Sequence, residues 1–208
     1  GLAMMVELPI VIVNVQRGGP STGLPTKTEQ SDLMQAMYGR NGESPVIVVA
    51  ASTPANCFHY AYMASKLALE HMTPVILLTD GYIANGSAPW KIKSVSDMPE
   101  IKHRLVTEYK EDWNPYDRDE NTLARTWAAP GTPGLEHRVG GLEKDKSSGN
   151  VSYVPENHEH MVKVREEKIK RVQDYIPEQT TEFAEEGDLL VVGWGGTYGA
   201  LHTAMKEI

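Results

Sequence analysis

Three short apolar runs within the first 80 residues predict the strands of one sheet. They cover residues 8–15, 45–51 and 74–79, are rich in Val, Ile and Leu, and show little polar alternation. Continuous runs of this kind are typical of strands that are buried on both faces of a parallel sheet. We therefore expect a sheet whose strands are separated by longer connections.

Helix signals fill both gaps between these runs. A Thr-x-x-Glu pattern at residues 26–29 fits a capping box and predicts a helix from Thr26 to about Gly39. A Thr-Pro pair at residues 53–54 predicts the start of a second, Ala-rich helix that runs to about Glu70. The order βαβαβ indicates a doubly wound, mostly parallel α/β domain over residues 1–97.

The pattern changes after this domain. Residues 98–186 contain no comparable strand run, and we expect a long linker or wrapping arm with an exposed flexible loop at residues 144–150. One helix is predicted there, over residues 159–175, with an apolar face formed by Val162, Ile169, Val172 and Ile176.

Strand and helix signals return at residues 187–208. Residues 188–193 predict a fourth buried strand, and residues 198–208 predict the helix that follows it. One such unit does not bury its own strand, so we expect the beginning of a second α/β domain and a chain that is part of a larger subunit.

Charge and composition narrow the functional classes. Residues 1–97 hold 6 basic and 7 acidic side chains, and the rest of the chain holds 14 and 21, which leaves most of the net charge of −8 outside the first domain. Neither part has the basic excess that nucleic-acid binding requires. The apolar runs are about half of the roughly 20 residues that a membrane-spanning helix needs. We thus expect no nucleic-acid partner and no membrane partner.

Cysteine content bears on redox chemistry and on the compartment. The single Cys57 excludes a disulfide framework and an iron–sulfur cluster held wholly by this chain, since a cluster takes about four thiolates. The first residues also lack the basic, then apolar pattern of a secretory leader. A reducing cytoplasm is the expected location.

The loop at residues 16–26, Gln-Arg-Gly-Gly-Pro-Ser-Thr-Gly-Leu-Pro-Thr, is the strongest candidate for chemistry. It follows a parallel strand and precedes a predicted helix, which is where ligands collect in open α/β sheets. Arg17 offers a planar fork for a carboxylate or phosphate, and Thr26 offers a hydroxyl. An equally acceptable interpretation is that Arg17 forms a surface ion pair and Thr26 only caps the helix.

Other motifs are weaker. The loop lacks the ending of a Walker A sequence, and residues 193–199 match a dinucleotide fingerprint only loosely, so a tight turn is the favoured interpretation there. His158 and His160 lack the partners of a metal site, and we predict none. We interpret His59 as a packing residue beside Cys57, and the Asp80-Gly81-Tyr82 segment as a turn that follows a strand.

Long stretches of the sequence resemble a known family. Residues 15–30, 38–43, 73–82, 130–138 and 157–162 are similar, in order, to alpha subunits of 2-oxoacid:ferredoxin oxidoreductases, particularly those that use 2-oxoglutarate. The resemblance spans essentially the whole chain. It implies that residues 1–97 form a pyrimidine-binding domain of the thiamine-diphosphate type and that residues 187–208 begin a domain like the C-terminal domain of transketolase.

The resemblance also implies an activity, its cofactors and its partners. These enzymes decarboxylate a 2-oxo acid with thiamine diphosphate and Mg²⁺, pass electrons to ferredoxin and transfer the acyl group to coenzyme A. A separate beta subunit holds the cofactor's diphosphate and the iron–sulfur cluster. Arg17 and Thr26 match the family's substrate-binding positions. The family's catalytic glutamate lies upstream of residue 1, so we expect no catalytic residue in this chain and no activity from it alone.

Two alternatives remain open at this point. The same chemistry could act on pyruvate or a branched 2-oxo acid instead of 2-oxoglutarate. The chain could also be a non-catalytic, anion-binding α/β module that serves as a scaffold.

Overall fold

A three-stranded parallel sheet forms the centre of the computed structural model, which describes residues 1–208. Its strands are β1 (Val11–Gln16), β2 (Ile47–Ala50) and β3 (Val75–Asp80), in the order β1-β3-β2. All three strands were predicted from the sequence, and the parallel α/β architecture is confirmed. The first two strands along the chain, β1 and β2, are therefore not neighbours, because β3 lies between them.

Six α-helices surround or extend this sheet. They are α1 (Leu2–Met5), α2 (Leu33–Tyr38), α3 (Asn56–His71), α4 (Gly81–Asn85), α5 (Pro155–Lys170) and α6 (Tyr198–Glu207). Single 3₁₀ turns occur at Val95–Asp97, Arg171–Tyr175 and Gly195–Thr197. None of the helices combines the length and the apolar character needed to cross a bilayer.

Alternate residues of the strands face different layers. Ile47 and Val75 pack with Leu67 of α3 in the main core cluster, so α3 covers one face of the sheet. On the other face, Val48 and Leu78 line an apolar cavity of about 390 Å³ together with α2 and Trp194. Helical segments therefore lie on both faces, as a doubly wound sheet requires.

The prediction that every strand is buried on both faces was wrong for the outer strands. Only the central strand β3 is almost entirely buried, whereas Ile12, Val13 and Val15 of β1 are 46%, 56% and 47% exposed. The physical reason is the strand order, because β1 and β2 each have one unpaired edge and only part of the helical cover.

The predicted capping box at residues 26–29 does not form. Helix α2 begins only at Leu33, and Thr26 has a φ of 64°, which cannot lead into a right-handed helix. The Glu29 carboxylate instead accepts hydrogen bonds from the backbone N–H groups of Gln30 and Ser31. Residues 26–32 thus remain an extension of the preceding loop.

The second predicted helix is confirmed as α3. Before its first turn, the Thr53 hydroxyl accepts a hydrogen bond from the Asn56 N–H, while the Asn56 side-chain oxygen accepts from the N–H groups of Ser52 and Thr53. This reciprocal pairing satisfies backbone donors that the helix leaves without partners. The helix ends at His71, close to the predicted end, and Met72 follows in a left-handed conformation.

Residues 98–186 form an arm that packs against the sheet domain. Two short strands, β4 (Leu105–Val106) and β5 (Trp127–Ala128), pair with each other in parallel. The predicted exposed loop at 144–150 is a hydrogen-bonded turn whose first residue, Lys144, is buried. The prediction of an exposed loop was therefore wrong for Lys144, because the chain turns inward to meet α5 at Asn157.

A buried carboxylate ties the arm to the sheet domain. Glu7 lies just before β1, and Arg118 of the arm binds both of its oxygens at 2.8 and 2.9 Å. Lys168 of α5 forms a third contact, and Arg125 lies 3.7 Å away. Burial alone would raise the pKa of Glu7, but the three cations outweigh it and hold the pKa of this carboxyl well below its ordinary range.

The predicted apolar face is partly confirmed, since Val172 lies in the core cluster and Ile169 packs against it. Helix α5 also turns two cations inward. Its inward residues include Met161, Arg165 and Lys168, whereas Ile176 is exposed. The prediction was wrong for Ile176, because α5 ends at Lys170 and the 3₁₀ turn Arg171–Tyr175 ends before this residue. The cations of α5 face inward because Glu7 and Glu143 lie opposite them. Arg165 binds both oxygens of Glu143, at 3.0 Å each. An apolar periodicity cannot reveal such a face.

The fourth predicted strand is absent. Residues 188–193 have no strand pairing, and Leu189, Leu190 and Val192 are 70%, 74% and 83% exposed. A strand needs a neighbouring strand to pair with its backbone N–H and C=O groups. No strand of this chain lies beside residues 188–193. The helix predicted at residues 198–208 is confirmed as α6.

The turn formed by residues 194–197 is docked on the sheet. The Gln30 side chain donates a hydrogen bond to the Trp194 carbonyl, and Gly196 lies against the buried Asp80. A Cβ atom on Gly196 would come within 2.1 Å of Asp80 Oδ2, so only glycine permits this approach. The glycine-rich motif therefore serves close packing against the end of β3.

We predict that Glu7→Gln lowers the free energy of unfolding by about 3–5 kcal/mol. The substitution leaves Lys168 and Arg125, which are 0% and 1% exposed, without their carboxylate. Thermal and denaturant unfolding of the intact protein measure this loss. The matched control is Glu166→Gln on α5, whose ion pair with Lys170 is more than half exposed and contributes little to stability because solvent screens it.

The same pairing predicts an acid effect. Since the pKa of Glu7 in the folded protein lies below its ordinary value of 4.5, the unfolded chain takes up the proton first. Stability from this group is complete above about pH 4.5 and declines as the pH falls below it. If Glu7→Gln and Glu166→Gln lost equal amounts of unfolding free energy, the ion pairs of Glu7 would not be important for stability.

We predict that Gly196→Ala detaches the turn at residues 194–197. The new methyl group cannot be accommodated beside the Asp80 carboxylate, so the backbone must move away. Hydrogen exchange at the amides of residues 194–197 should become faster. Gly199→Ala provides the control, because a Cβ atom there meets nothing within 4 Å. Unchanged exchange in Gly196→Ala would show that the turn is not held by this contact.

Candidate functional site

The carboxyl ends of β1 and β3 meet at one edge of the sheet. Gln16 is the register partner of Asp80, and both are buried at the last positions of their strands. The Gln16 side chain donates to the Thr79 carbonyl at 3.2 Å and accepts from the Asp32 N–H at 3.1 Å. This one side chain thereby joins β1, β3 and the segment before α2.

The loop from Arg17 to Pro25 projects from this edge. It is closed on itself by a hydrogen bond of 2.9 Å from the Leu24 N–H to the Gly18 carbonyl, and it has a cis peptide bond between Gly19 and Pro20. Nearly all of its side chains are exposed. The loop is therefore a surface feature anchored at its base by Gln16.

An open cavity of about 690 Å³ lies between this loop and helix α4. Arg17 and Thr26, the two substrate-binding candidates, both contribute to its wall. The full lining consists of Val15, Arg17, Gly19, Pro20, Ser21, Pro25, Thr26, Ser31, Asp32, Gly81 and Asn85. Its polar character comes from one guanidinium, one carboxylate, three hydroxyl groups and one side-chain amide.

Arg17 is free to bind a ligand. Its side chain is exposed, and it takes part in none of the ion pairs of the chain. The alternative interpretation, that Arg17 forms a surface ion pair, is therefore wrong, because no residue of the chain pairs with it. A guanidinium can bind a carboxylate through two parallel hydrogen bonds.

Thr26 is not a helix cap, because α2 starts seven residues later. Its backbone is left-handed, which is unusual for a β-branched residue. The neighbouring Lys27 carbonyl accepts a hydrogen bond of 3.1 Å from the Tyr82 N–H at the start of α4. Thr26 is thus held in the cavity wall by a contact between its neighbour and α4.

Sequence reasoning missed three polar residues of the cavity wall. Asp32 accepts a hydrogen bond of 3.0 Å from the Asn14 side chain, and Asn85 donates one of 2.7 Å to the Gly81 carbonyl. Ser31 supplies a hydroxyl beside Asp32. The available signal was Asn14, a polar residue inside an otherwise apolar strand, which needs a polar partner when it is half buried.

Asp80 and Cys57 lie below the cavity edge. Asp80 accepts a hydrogen bond of 2.8 Å from the Ile83 N–H and so caps α4, which agrees with its interpretation as a turn residue. Burial raises the pKa of the Cys57 thiol, and the nearby Asp80 raises it further. The thiol is therefore held in its protonated, weakly nucleophilic form.

The histidines lie away from the cavity wall. His158 contacts Glu143 at 2.8 Å on the arm. Burial lowers the pKa of His160, with Lys146 and Arg118 acting in the same direction. His59 is exposed and stands edge-on to Tyr60, which corrects the expectation that it packs half buried.

Comparison with known proteins shows extensive similarity. Residues 1–154 match the family model described as pyruvate flavodoxin/ferredoxin oxidoreductase, thiamine diphosphate-binding. Over 208 residues the chain is 53% identical to the 2-oxoglutarate oxidoreductase subunit KorA of Mycobacterium tuberculosis, covering 100% of this chain and 31% of that protein. It is 34% identical over 207 residues to the 2-oxoglutarate synthase subunit KorA of Methanothermobacter thermautotrophicus, covering 99% and 54%.

A solved structure is similar in fold. The 2-oxoglutarate:ferredoxin oxidoreductase from Magnetococcus marinus, with 2-oxoglutarate, coenzyme A and succinyl-CoA bound, superposes with a TM-score of 0.86 at 35% identity. The match covers 100% of this chain and 36% of that one. The chain thus spans between a third and about half of the length of these relatives. The extent of the family match shows that this chain belongs to the pyruvate flavodoxin/ferredoxin oxidoreductase family and carries its thiamine-diphosphate-binding domain.

Proposed function

We propose that this chain is part of the alpha subunit of a 2-oxoglutarate:ferredoxin oxidoreductase. The reaction is the oxidative decarboxylation of 2-oxoglutarate to succinyl-CoA, with electrons passed to ferredoxin. The observation that carries the proposal is that Arg17, which has no ion-pair partner, lines the same open cavity as Thr26 at the carboxyl ends of two parallel strands. The similarity to proteins named for 2-oxoglutarate supports the choice of substrate.

In this proposal Arg17 binds a carboxylate of the substrate. A guanidinium matches the planar geometry of a carboxylate and keeps its charge at every physiological pH. Because Arg17 has no internal ion-pair partner, binding a substrate does not first require an existing pair to break. The charge-assisted hydrogen bonds also orient the substrate within the cavity.

Thr26 has a complementary role. A hydroxyl can donate to the oxo group or accept from a neighbouring group, and this hydroxyl is not used to cap a helix. Because Arg17 and Thr26 line the same cavity, one ligand can contact both groups. No catalytic residue is assigned within this chain.

The cofactor's diphosphate fits this cavity poorly. A diphosphate with Mg²⁺ needs several charge-compensating groups and oxygen ligands, whereas the cavity offers a single guanidinium and a single carboxylate. The resemblance to the family implies that the beta subunit holds the diphosphate, Mg²⁺ and the iron–sulfur cluster, and the lining of this cavity agrees with that division for the diphosphate. When bound, thiamine diphosphate supplies the electron sink for decarboxylation, and residues of this chain bind and orient the substrate.

The remaining assignments follow from the same proposal. Coenzyme A is the acyl acceptor, the beta subunit and ferredoxin are the protein partners, and the enzyme works in the cytoplasm. The free thiol of Cys57 is compatible with a reducing compartment.

We assign residues 1–97 to the pyrimidine-binding domain, 98–186 to the arm and 187–208 to the start of a second domain. The exposed apolar residues at 189–192 support the last assignment.

We predict that Arg17→Ala in the complete enzyme lowers kcat/KM for 2-oxoglutarate by about 2 kcal/mol in transition-state free energy, or roughly 30-fold. Arg17→Lys should also be impaired, because a lysine ammonium lacks the planar fork. Steady-state reduction of ferredoxin measures both. An unchanged kcat/KM in Arg17→Ala would remove Arg17 from substrate binding. Lys27→Ala is a nearby control that removes an exposed cation from outside the cavity wall.

We predict that 2-oxoglutarate is the preferred substrate. The assay measures ferredoxin or viologen reduction by the alpha and beta subunits together, with coenzyme A and each of 2-oxoglutarate, pyruvate and a branched 2-oxo acid. Preference for either monocarboxylic acid would overturn the substrate assignment and keep the chemistry. Absence of reduction with every 2-oxo acid would favour the non-catalytic scaffold.

A further inference from the structure

Thr26 occupies a backbone conformation that it would not adopt by itself. Its φ of 64° lies in the left-handed region, where the branched Cβ of threonine is crowded by the backbone. Such residues cost about 1–3 kcal/mol and persist only where surrounding contacts enforce them. The structure must therefore contain contacts that hold Thr26 in place.

Those contacts come from the first turn of α4. The Tyr82 N–H, a donor that has no partner within so short a helix, donates to the Lys27 carbonyl at 3.1 Å. Beside it, the backbone of Thr26 passes directly over Gly81. A Cβ atom on Gly81 would lie 3.1 Å from the Thr26 nitrogen and 3.5 Å from the Thr26 Cα and the Lys27 carbonyl oxygen.

Gly81 cannot easily move away from this contact. It follows directly after β3, the central and most buried strand, and is itself buried. Asp80 caps the same turn through the Ile83 N–H, and the Asn85 side chain donates to the Gly81 carbonyl. An added methyl group would therefore displace Thr26, since the opposite side of the contact is an exposed loop.

We propose that Gly81 is a positioning residue for substrate recognition. Its missing side chain lets the backbone of Thr26 and Lys27 rest on α4, and this contact fixes Thr26 in the wall of the cavity that Arg17 also lines. Gly81 acts through Thr26 and does not itself bind the substrate. This inference rests on the proposed function, because it takes the Thr26 hydroxyl to be a substrate contact.

The test is a double-mutant cycle in the complete alpha–beta enzyme with 2-oxoglutarate. Gly81→Ala should raise KM about tenfold while kcat changes by less than about twofold, and Thr26→Ala should do the same, as expected for the loss of one substrate hydrogen bond. In the Thr26→Ala background, Gly81→Ala should add less than about twofold, since its effect passes through the hydroxyl. Thr26→Ser, which keeps the hydroxyl group, should raise KM less than Thr26→Ala does.

Additive effects of the two alanine substitutions would overturn the proposal, as would an unchanged KM in Gly81→Ala. Gly199→Ala is the matched control, since it adds the same methyl group where nothing lies within 4 Å. It should leave KM and kcat unchanged.

A measurement without substrate separates this inference from the proposed function. Hydrogen exchange at the Tyr82 amide should become faster in Gly81→Ala and stay slow in Thr26→Ala, because only the first change disrupts the contact with Lys27. Slow exchange in Gly81→Ala would overturn the inference even if 2-oxoglutarate is the substrate. Absence of turnover by the unmodified enzyme would count against the proposed function, while the exchange result would still decide whether Gly81 holds the loop.

A second variant guards against a failure of Gly81→Ala to fold. Thr26→Gly removes the backbone strain as well as the hydroxyl, because glycine adopts a positive φ without cost. It should melt at a higher temperature than Thr26→Ala. Equal melting temperatures would show that Thr26 is not held under strain.

Discussion

Glu7 lies immediately before the first strand, and its buried carboxylate brings together parts of the chain that are more than 100 residues apart. Arg118 and Arg125 reach it from the arm, and Lys168 reaches it from α5. Burying a carboxylate is costly unless cations and hydrogen bonds compensate its charge, and here three cations surround one carboxylate. These contacts hold the arm at one position on the sheet domain. Val172, which follows α5, then packs into the core formed by α3 and the sheet.

The same sheet determines where ligands can bind. Its parallel strands end together at Gln16 and Asp80, and the two halves of this edge are used differently. Over β1 the edge carries the open cavity with Arg17 and Thr26. Over β3 it is covered by the turn at residues 194–197, which the close approach of Gly196 to Asp80 permits. Gln30 joins the two halves, because it follows the loop and donates to the Trp194 carbonyl.

The cavity combines rigid support with an exposed loop. Gln16, Asp80 and Gly81 belong to buried positions at strand ends, whereas the residues that face the ligand lie on the loop. This arrangement lets a solvent-accessible segment present Arg17 and Thr26 while its base stays fixed by hydrogen bonds to the sheet. Backbone strain at Thr26 is sustained by that support, at a cost in stability that the rest of the fold carries.

The sequence by itself determined the local and repetitive features. Apolar runs identified β1, β2 and β3, and the Thr53-Pro54 pair before an Ala-rich segment made α3 predictable, because these elements depend on neighbouring residues and on burial. The candidate loop was identifiable for the same reason, since its composition and its place after a strand indicate a binding site. The resemblance of its residues to a known family was also present in the sequence.

Only the tertiary structure decided the features that depend on distant partners. The left-handed Thr26 prevents the predicted capping box, and it does so because Gly81 and Tyr82, more than 50 residues away, hold it there. The polar inner face of α5 exists because Glu7 and Glu143 lie opposite it. Residues 188–193 form no strand because a strand needs a neighbour to complete its hydrogen bonds, and sequence periodicity carries no information about whether that neighbour is present.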